Sequence, residues 1–362
     1  MKPISVIIST ANRPKFLEEA LSSVARQTAL NDIEEVIVSE NGGNRESQAV
    51  CAKFKSLPIK YIFQDPPISA LEHGNVLVRQ ARAEFIAVLH DDDWWTPEHL
   101  ARSLEALRSN PGCVATYSNF YNTEGQNYPF SLIQHAWIVW VASGCDFNRP
   151  VLFLDEAAVM FACLAWTTPS ANFHYSTLVG RADAVRNAVL RILATGNCHD
   201  NDRQVPVFLS LHGKVCYLTT PDIFVRFHRG NDALTFGLRS DAAELTLQTT
   251  RWLMENSPGN LAKARDLFNK AAQGMDPGKL LAISNLINNR LRSMLIEECG
   301  FKLIPAKREP YIERLARQIC PPIMWGLMRW LIKQCYSVFL PIALFPRNCF
   351  RRLYRAIKEH NE

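Results

Sequence analysis

The sequence predicts an α/β fold, a mostly parallel sheet with helices on both faces, followed by a helical C-terminal extension. Short, uncharged, β-branched runs alternate with segments of helical period through about the first 120 residues. The connections between them are short, as in wound α/β sheets. Polar clusters fall at the carboxyl ends of the apolar runs, where such sheets bind ligands.

Residues 4–9 (ISVIIS) open as a buried strand, and Asn12-Arg13-Pro14 breaks it. Residues 15–27 carry apolar side chains at Phe16, Leu17, Ala20, Leu21 and Val24, a helical period. Residues 35–39 (EVIVS) form a second strand closed by Asn41-Gly42-Gly43-Asn44, and 46–56 a helix. A third strand, 59–63, ends at Asp65-Pro66-Pro67; helix 70–83 leads to a fourth, 84–89, which runs into His90-Asp91-Asp92-Asp93. Residues 97–109 read as a helix with Pro97 in its first turn, where a missing N–H matters little, and 113–118 as a fifth strand. Beyond residue 120 the rhythm loosens. The uncharged stretch 125–145 reads as a strand or hairpin, since Gln126, Asn127, Pro129, Gln134 and His135 interrupt it. Residues 173–179, 215–219 and 223–227 read as strands, and 241–300 as mostly helical with breaks near 257–259 and 276–278. This divides the chain into 1–235 (a nucleotide-binding half, 1–120, and an acceptor half, 121–235), a helical region, 236–305, and a basic, aromatic tail, 306–362.

The 362 residues are 48% hydrophobic and 21% charged, which excludes a disordered chain. The net charge of +5 is uneven: residues 301–362 hold +8, leaving −3 for the rest. A near-neutral body with a basic tail excludes nucleic-acid binding by the whole surface and favours a local anionic partner. The 10 cysteines never form a C-x-x-C pair, which reads as reduced thiols in a cytoplasmic protein; no secretory signal follows Met1-Lys2-Pro3.

Three adjacent aspartates at the end of a buried strand repel one another, and a divalent cation relieves that conflict. Mg²⁺ or Mn²⁺ suits hard carboxylate oxygens and substrate phosphates. Capping of helix 97–109 is the competing reading, but one aspartate suffices for it. Asp91, Asp92 and Asp93 are thus the metal candidates, with Asp92 and Asp93 ranked ahead of Asp91.

The run Phe85–Leu89, Asp91-Asp92-Asp93, Pro97 and Leu100 resembles the D-x-D region of family 2 glycosyltransferases, which have the GT-A fold. Residues 4–14 (ISVIISTANRP) look like that family's first strand and nucleotide loop, and residues 34–42 like its second strand. Asn75 matches the Asn of the helix before the metal strand. The resemblance covers about residues 3–235. It departs at His90 and Glu40, where the family often has Asp. It implies that Thr10, Asn12, Arg13, Glu40, Asn75, Asp91 and Asp92 meet a nucleotide sugar, with Glu40 at the base. It implies a general base about a hundred residues on. Asp202 fits by its distance from Gly213, with Asp200 the runner-up; a cap on the helix near 203–212 is the alternative role for either. Val225–Asn231 resembles the basic return loop, which makes Arg226 a diphosphate contact and His228 a third metal ligand or phosphate donor; a lone histidine is as readily structural. Trp166, Thr167, Thr168 and Ser170 lie where acceptor contacts would be.

The implied activity is transfer of a sugar from a nucleotide diphosphate, UDP being commonest in the family, to an acceptor hydroxyl with inversion. It needs Mn²⁺ or Mg²⁺ and suits bacterial cell-surface polysaccharide or lipopolysaccharide synthesis. In residues 320–346, Arg329 and Lys333 share a helical face among Trp325, Trp330, Tyr336 and Phe339, and five basic residues follow. That pattern reads as a helix lying on an anionic membrane, against packing on the body, and suits a glycan or lipid-linked acceptor at the inner face of the plasma membrane. The alternatives are a nucleotidyltransferase-like enzyme, disfavoured because Ser9–Pro14 lacks a glycine, and a non-catalytic sugar-binding protein on the same fold.

Overall fold

The computed structural model describes residues 2–123, 129–130, 149–156, 158–159, 163, 173–195 and 201–226, and parts of 251–305 (251, 254–255, 258–273, 277, 284, 289–303 and 305). The chain divides into Met1–Pro305 and Ala306–Glu362. The second unit lies outside the described residues, and with it the membrane-tail reading.

Strands β1 (Ile4–Thr10), β2 (Ile33–Asn41), β3 (Ile59–Gln64) and β4 (Phe85–His90) alternate with helices α1 (Pro14–Ala25), α2 (Glu46–Cys51) and α3 (Ala70–Gln80). β1 pairs in parallel with both β2 and β4, and β3 adds outside β2. Ile4, Val6 and Ile8 enter one apolar layer and Ile7 the other; in β2, Val36 and Val38 oppose Ile37 in the same way. Both faces are covered, which is why these strands read as unbroken apolar runs. The expected α/β architecture is therefore observed.

After β4 come the two-residue β5 (Trp94–Trp95), α4 (His99–Ser109), β6 (Cys113–Thr123), β7 (Pro129–Phe130), β8 (Val151–Leu154), β9 (Val179–Arg181), α5 (Ala182–Thr195), α6 (Asn201–Ser210) and β10 (Lys214–Arg226). The sheet order is β3-β2-β1-β4-β9-β6-β10-β5, with β7 on β6 and β8 on β10. β9 runs antiparallel to both β4 and β6, so a short reversed strand joins the two halves of the sheet. Helices α7 (Pro258–Gln273) and α8 (Asn289–Glu297) follow.

Four expectations are corrected. α4 begins at His99, because Thr96 and Pro97 are pinned as loop: Thr96 N–H donates to the Asp222 carbonyl and Pro97 O accepts from Thr28 N–H, each at 2.8 Å. Helix 46–56 stops at Cys51. Residues 173–179 are mainly a 3₁₀ turn at Tyr175–Thr177, with a strand only from Val179. The two strands read at 215–219 and 223–227 are one, β10, whose register against β6 shifts around Pro221. Of 125–145, only Pro129–Phe130 is described, as a strand. No helix among the described residues is long and apolar enough to cross a membrane.

Candidate active site

β1 and β4 are parallel neighbours, so the loop after β1 and the acidic run after β4 meet at one sheet edge. Thr10 Oγ donates to Asp91 Oδ2 at 2.7 Å. Arg13 Nη1 bridges Asp91 Oδ1 at 3.3 Å and Asp92 Oδ2 at 3.2 Å, with about a third of its side chain exposed. All three aspartates are buried. Burial, then the charge of Asp92, raises the Asp91 carboxyl to about 6 against the pull of Arg13 and Thr10. The same causes push Asp93 up to about 7, opposed by His90, Ser176 and the Arg226 N–H. In both, burial outweighs the hydrogen bonds and counter-charges that reach the carboxylate.

The cap reading of the aspartates fails on geometry. The N-cap of α4 is Glu98, and no side chain caps it. The run instead faces two ways. Asp91 and Asp92 turn to the β1 loop. Asp93 turns to the 3₁₀ turn: Ser176 Oγ donates to its Oδ2 at 2.5 Å, and His174 Nδ1 and His90 Nδ1 lie 3.7 and 3.9 Å from the same oxygen.

The end of β10 closes the cluster. Arg226 N–H donates to Asp93 Oδ1 at 3.0 Å and its Nε to the Asp92 carbonyl at 2.9 Å. Its guanidinium pairs with Glu19 and lies over the Phe16 and Trp94 rings at 4.6 and 4.7 Å. Arg226 is thus built into the wall of the site, where the sequence suggested a diphosphate contact.

Glu40 is fully buried; its Oε2 accepts from Tyr61 OH at 2.5 Å, and its Oε1 is buried with no hydrogen-bond partner. Asn12 sits in the left-handed region, φ 55°, against Gly43, where an added Cβ would meet Asn12 Oδ1 at 1.8 Å. Gly43 therefore lets the loops after β1 and β2 touch. Asn75 lies on α3 with its Oδ1 buried and unpartnered, the mark of a polar group awaiting a partner. Asp202, in the first turn of α6, reaches across to accept Tyr175 N–H at 2.8 Å. It thereby holds the turn that presents His174 and Ser176 to Asp93. Asp200, His228, Trp166, Thr167, Thr168 and Ser170 lie outside the described residues.

Residues 5–166 match the family model described as Glycosyl transferase family 2. Over that stretch, under half of the chain, the sequence is similar to glycosyltransferase family 2. The uncharacterised glycosyltransferase YwdF of Bacillus subtilis is 31% identical over 130 residues, 35% of this chain and 47% of that protein. WcaA of Escherichia coli, provisionally described as a colanic acid biosynthesis glycosyl transferase, is 30% identical over 126 residues, 34% of this chain and 45% of its own. In each case the alignment spans less than half of the relative's length. Among solved structures, S. aureus TarS 1–349, crystallised with UDP-GlcNAc, superposes with a TM-score of 0.53 at 14% identity, covering 80% of this chain and 82% of that one. The fold is accordingly of the GT-A type.

Sequence reasoning missed His174, Ser176, Glu19 and Asp222. His174 and Ser176 were hidden in a segment taken for a strand; its polar spacing, His-Tyr-Ser-Thr, is the signal that argued against one. Asp222 is buried, pairs with Arg102 and accepts from Thr96 Oγ at 3.4 Å, bracing the end of the acidic loop; nothing in its local sequence distinguishes it.

Proposed function

We propose that this chain transfers a sugar from a nucleotide diphosphate, UDP in the first instance, to an acceptor hydroxyl with inversion at the anomeric carbon. The observation that carries the reading is the convergence of Asp91, Asp92 and Asp93 with the β1 loop and the end of β10 at one sheet edge, with none of the three used as a helix cap. The relation to WcaA supports a role in cell-surface polysaccharide synthesis.

The buried, mutually repelling carboxylates suit a divalent cation, Mn²⁺ or Mg²⁺, and Asp92 and Asp93 are the ones assigned to hold it. Once bound, it supplies Lewis-acid stabilisation of charge on the departing diphosphate. Arg13, part-exposed beside Asp91 and Asp92, is the cation assigned to that diphosphate, while Arg226 positions the aspartates. Glu40, with one oxygen unpartnered, is assigned to an N–H of the base, and Asn12 and Asn75 to the nucleotide sugar. Asp202, with Asp200 as second choice, takes the acceptor's proton. As the acceptor oxygen bonds to the anomeric carbon from the face opposite, the bond to the diphosphate oxygen breaks and its electron pair leaves with the nucleotide. One displacement inverts the centre. The acceptor is assigned as a glycan or lipid-linked molecule.

The test is release of nucleoside diphosphate from a panel of sugar nucleotides, with and without Mn²⁺ and with membrane extract as acceptor. Metal-dependent release, abolished by Asp92→Asn, is expected. Pyrophosphate release instead would indicate a nucleotidyltransferase, and no turnover together with no metal-dependent nucleotide binding would overturn the reading.

A further inference from the structure

The geometry points to His90, Asp93 and His174 as a mixed imidazole–carboxylate cation site, selecting a transition ion such as Mn²⁺, Co²⁺ or Zn²⁺ over Mg²⁺. This rests on the transferase reading for the ion's purpose but on its own geometry for the ligands. One ligand atom from each residue lies within 4.8 Å of the others. The three come from separate positions: the end of β4, the turn after it, and the residue that opens the 3₁₀ turn.

Two ligands about 2.1 Å from one ion stand roughly 3.0–3.4 Å apart at tetrahedral or octahedral angles. The histidine-to-Asp93 separations of 3.7 and 3.9 Å therefore need to contract by about 0.3–0.9 Å, and any pair standing at the 4.8 Å limit by up to about 1.8 Å, through rotation of the side chains. The rings of His90 and His174 stand edge to face with centroids 5.7 Å apart, so neither blocks the other's approach.

The support around the ligands is that of a held site. Asp93 is fixed by Ser176 Oγ on one oxygen and by Arg226 N–H on the other, and His90 N–H donates to the same Ser176 Oγ at 3.1 Å. The Ser176 carbonyl accepts from Trp95 Nε1 at 2.8 Å, so the backbone that carries the hydroxyl is itself anchored. Such outer partners orient metal ligands. His174 Nδ1 accepts a long 3.3 Å bond from Ser176 N–H, weak enough to exchange for a stronger partner. His90 is about a third exposed, which leaves a route of entry and an open side for a phosphate oxygen. Two nitrogens among the ligands disfavour Mg²⁺, which prefers all-oxygen octahedra, and suit the borderline ions.

The experiment is pulsed electron paramagnetic resonance of Mn²⁺ bound to the full chain without nucleotide, paired with a Mn²⁺ titration. One bound ion with ¹⁴N coupling is expected. His174→Gln and His90→Gln should each weaken binding at least tenfold with unchanged circular dichroism, and His90→Asp, which keeps a ligand but trades nitrogen for oxygen, should bind Mn²⁺ while narrowing the preference over Mg²⁺. A bound ion without ¹⁴N coupling, no binding of Mn²⁺ alone, or wild-type affinity in both glutamine variants would overturn the proposal. Mn²⁺-dependent sugar transfer without ¹⁴N coupling would sink this ligand set and leave the transferase reading standing. Coupling without any turnover would do the reverse.

Discussion

Neutralising Asp91 should stabilise the metal-free protein, and more so at higher pH. The carboxyl is raised from 3.8 to about 6, mainly by burial. A folded-state value above the unfolded one means that the folded form holds the proton more tightly. The stability linked to that proton is complete below about pH 4 and is lost as pH rises through about 6. That rise corresponds to about 3 kcal/mol in full, of which roughly half falls between pH 5 and pH 8. Asp91→Asn removes the titration while keeping an acceptor for Thr10 Oγ and leaving Arg13 its contact with Asp92. The assay is equilibrium urea denaturation of wild type and variant, stripped of metal, at both pH values. The difference between them should move in the variant's favour by roughly 1–2 kcal/mol from pH 5 to pH 8. Saturating Mn²⁺ should stabilise both, and the wild type more, since the nearby cation also offsets the charge of ionised Asp91. A difference that is flat with pH, or that moves the other way, would refute the view that burial and the neighbouring Asp92 penalise the ionised form of Asp91.

Asp202→Asn should lower kcat by at least about a hundredfold, the usual reach of general-base catalysis, while nucleotide binding and stability stay near wild type because the amide oxygen still accepts Tyr175 N–H; rates near wild type would move the base to Asp200. Gly43→Ala combines φ +97° with a Cβ 1.8 Å from Asn12 Oδ1, so thermal denaturation should show a loss of about 1–3 kcal/mol together with weaker nucleotide binding; an unchanged melting temperature would count against contact between those loops. Removal of 320–362 should abolish co-sedimentation with anionic vesicles, and unchanged sedimentation would discard the membrane reading of the tail.

The parts of the fold legible in the sequence are those set by local burial. β1 to β4 are covered on both faces, so their residues had to be apolar and β-branched throughout, and their ends had to be polar. The three aspartates stood out for the same reason: nothing in a buried strand's continuation requires repeated charge. What stayed hidden was set by distant partners. β9 is only three residues long and exists because β4 and β6 flank it. The step in β10 around Pro221 is a matter of register against β6. Thr96 and Pro97 lost their place in α4 to hydrogen bonds with residues near 28 and 222. His174 and Ser176 are ordinary by type and spacing, and only the turn that carries them gives them a role.

The wiring of Arg226 bears on how this chain can be cut or grafted. The stretch that matches the family ends at residue 166, yet Asp93 is gripped by Ser176 and by the last residue of β10. A fragment stopping at 166 would lack β9 as well, baring the flank of β4 as an open edge of the kind that recruits other chains. Expression boundaries, chimaeras and split versions therefore need to run at least through residue 226, or the acidic corner will be assembled without its far wall.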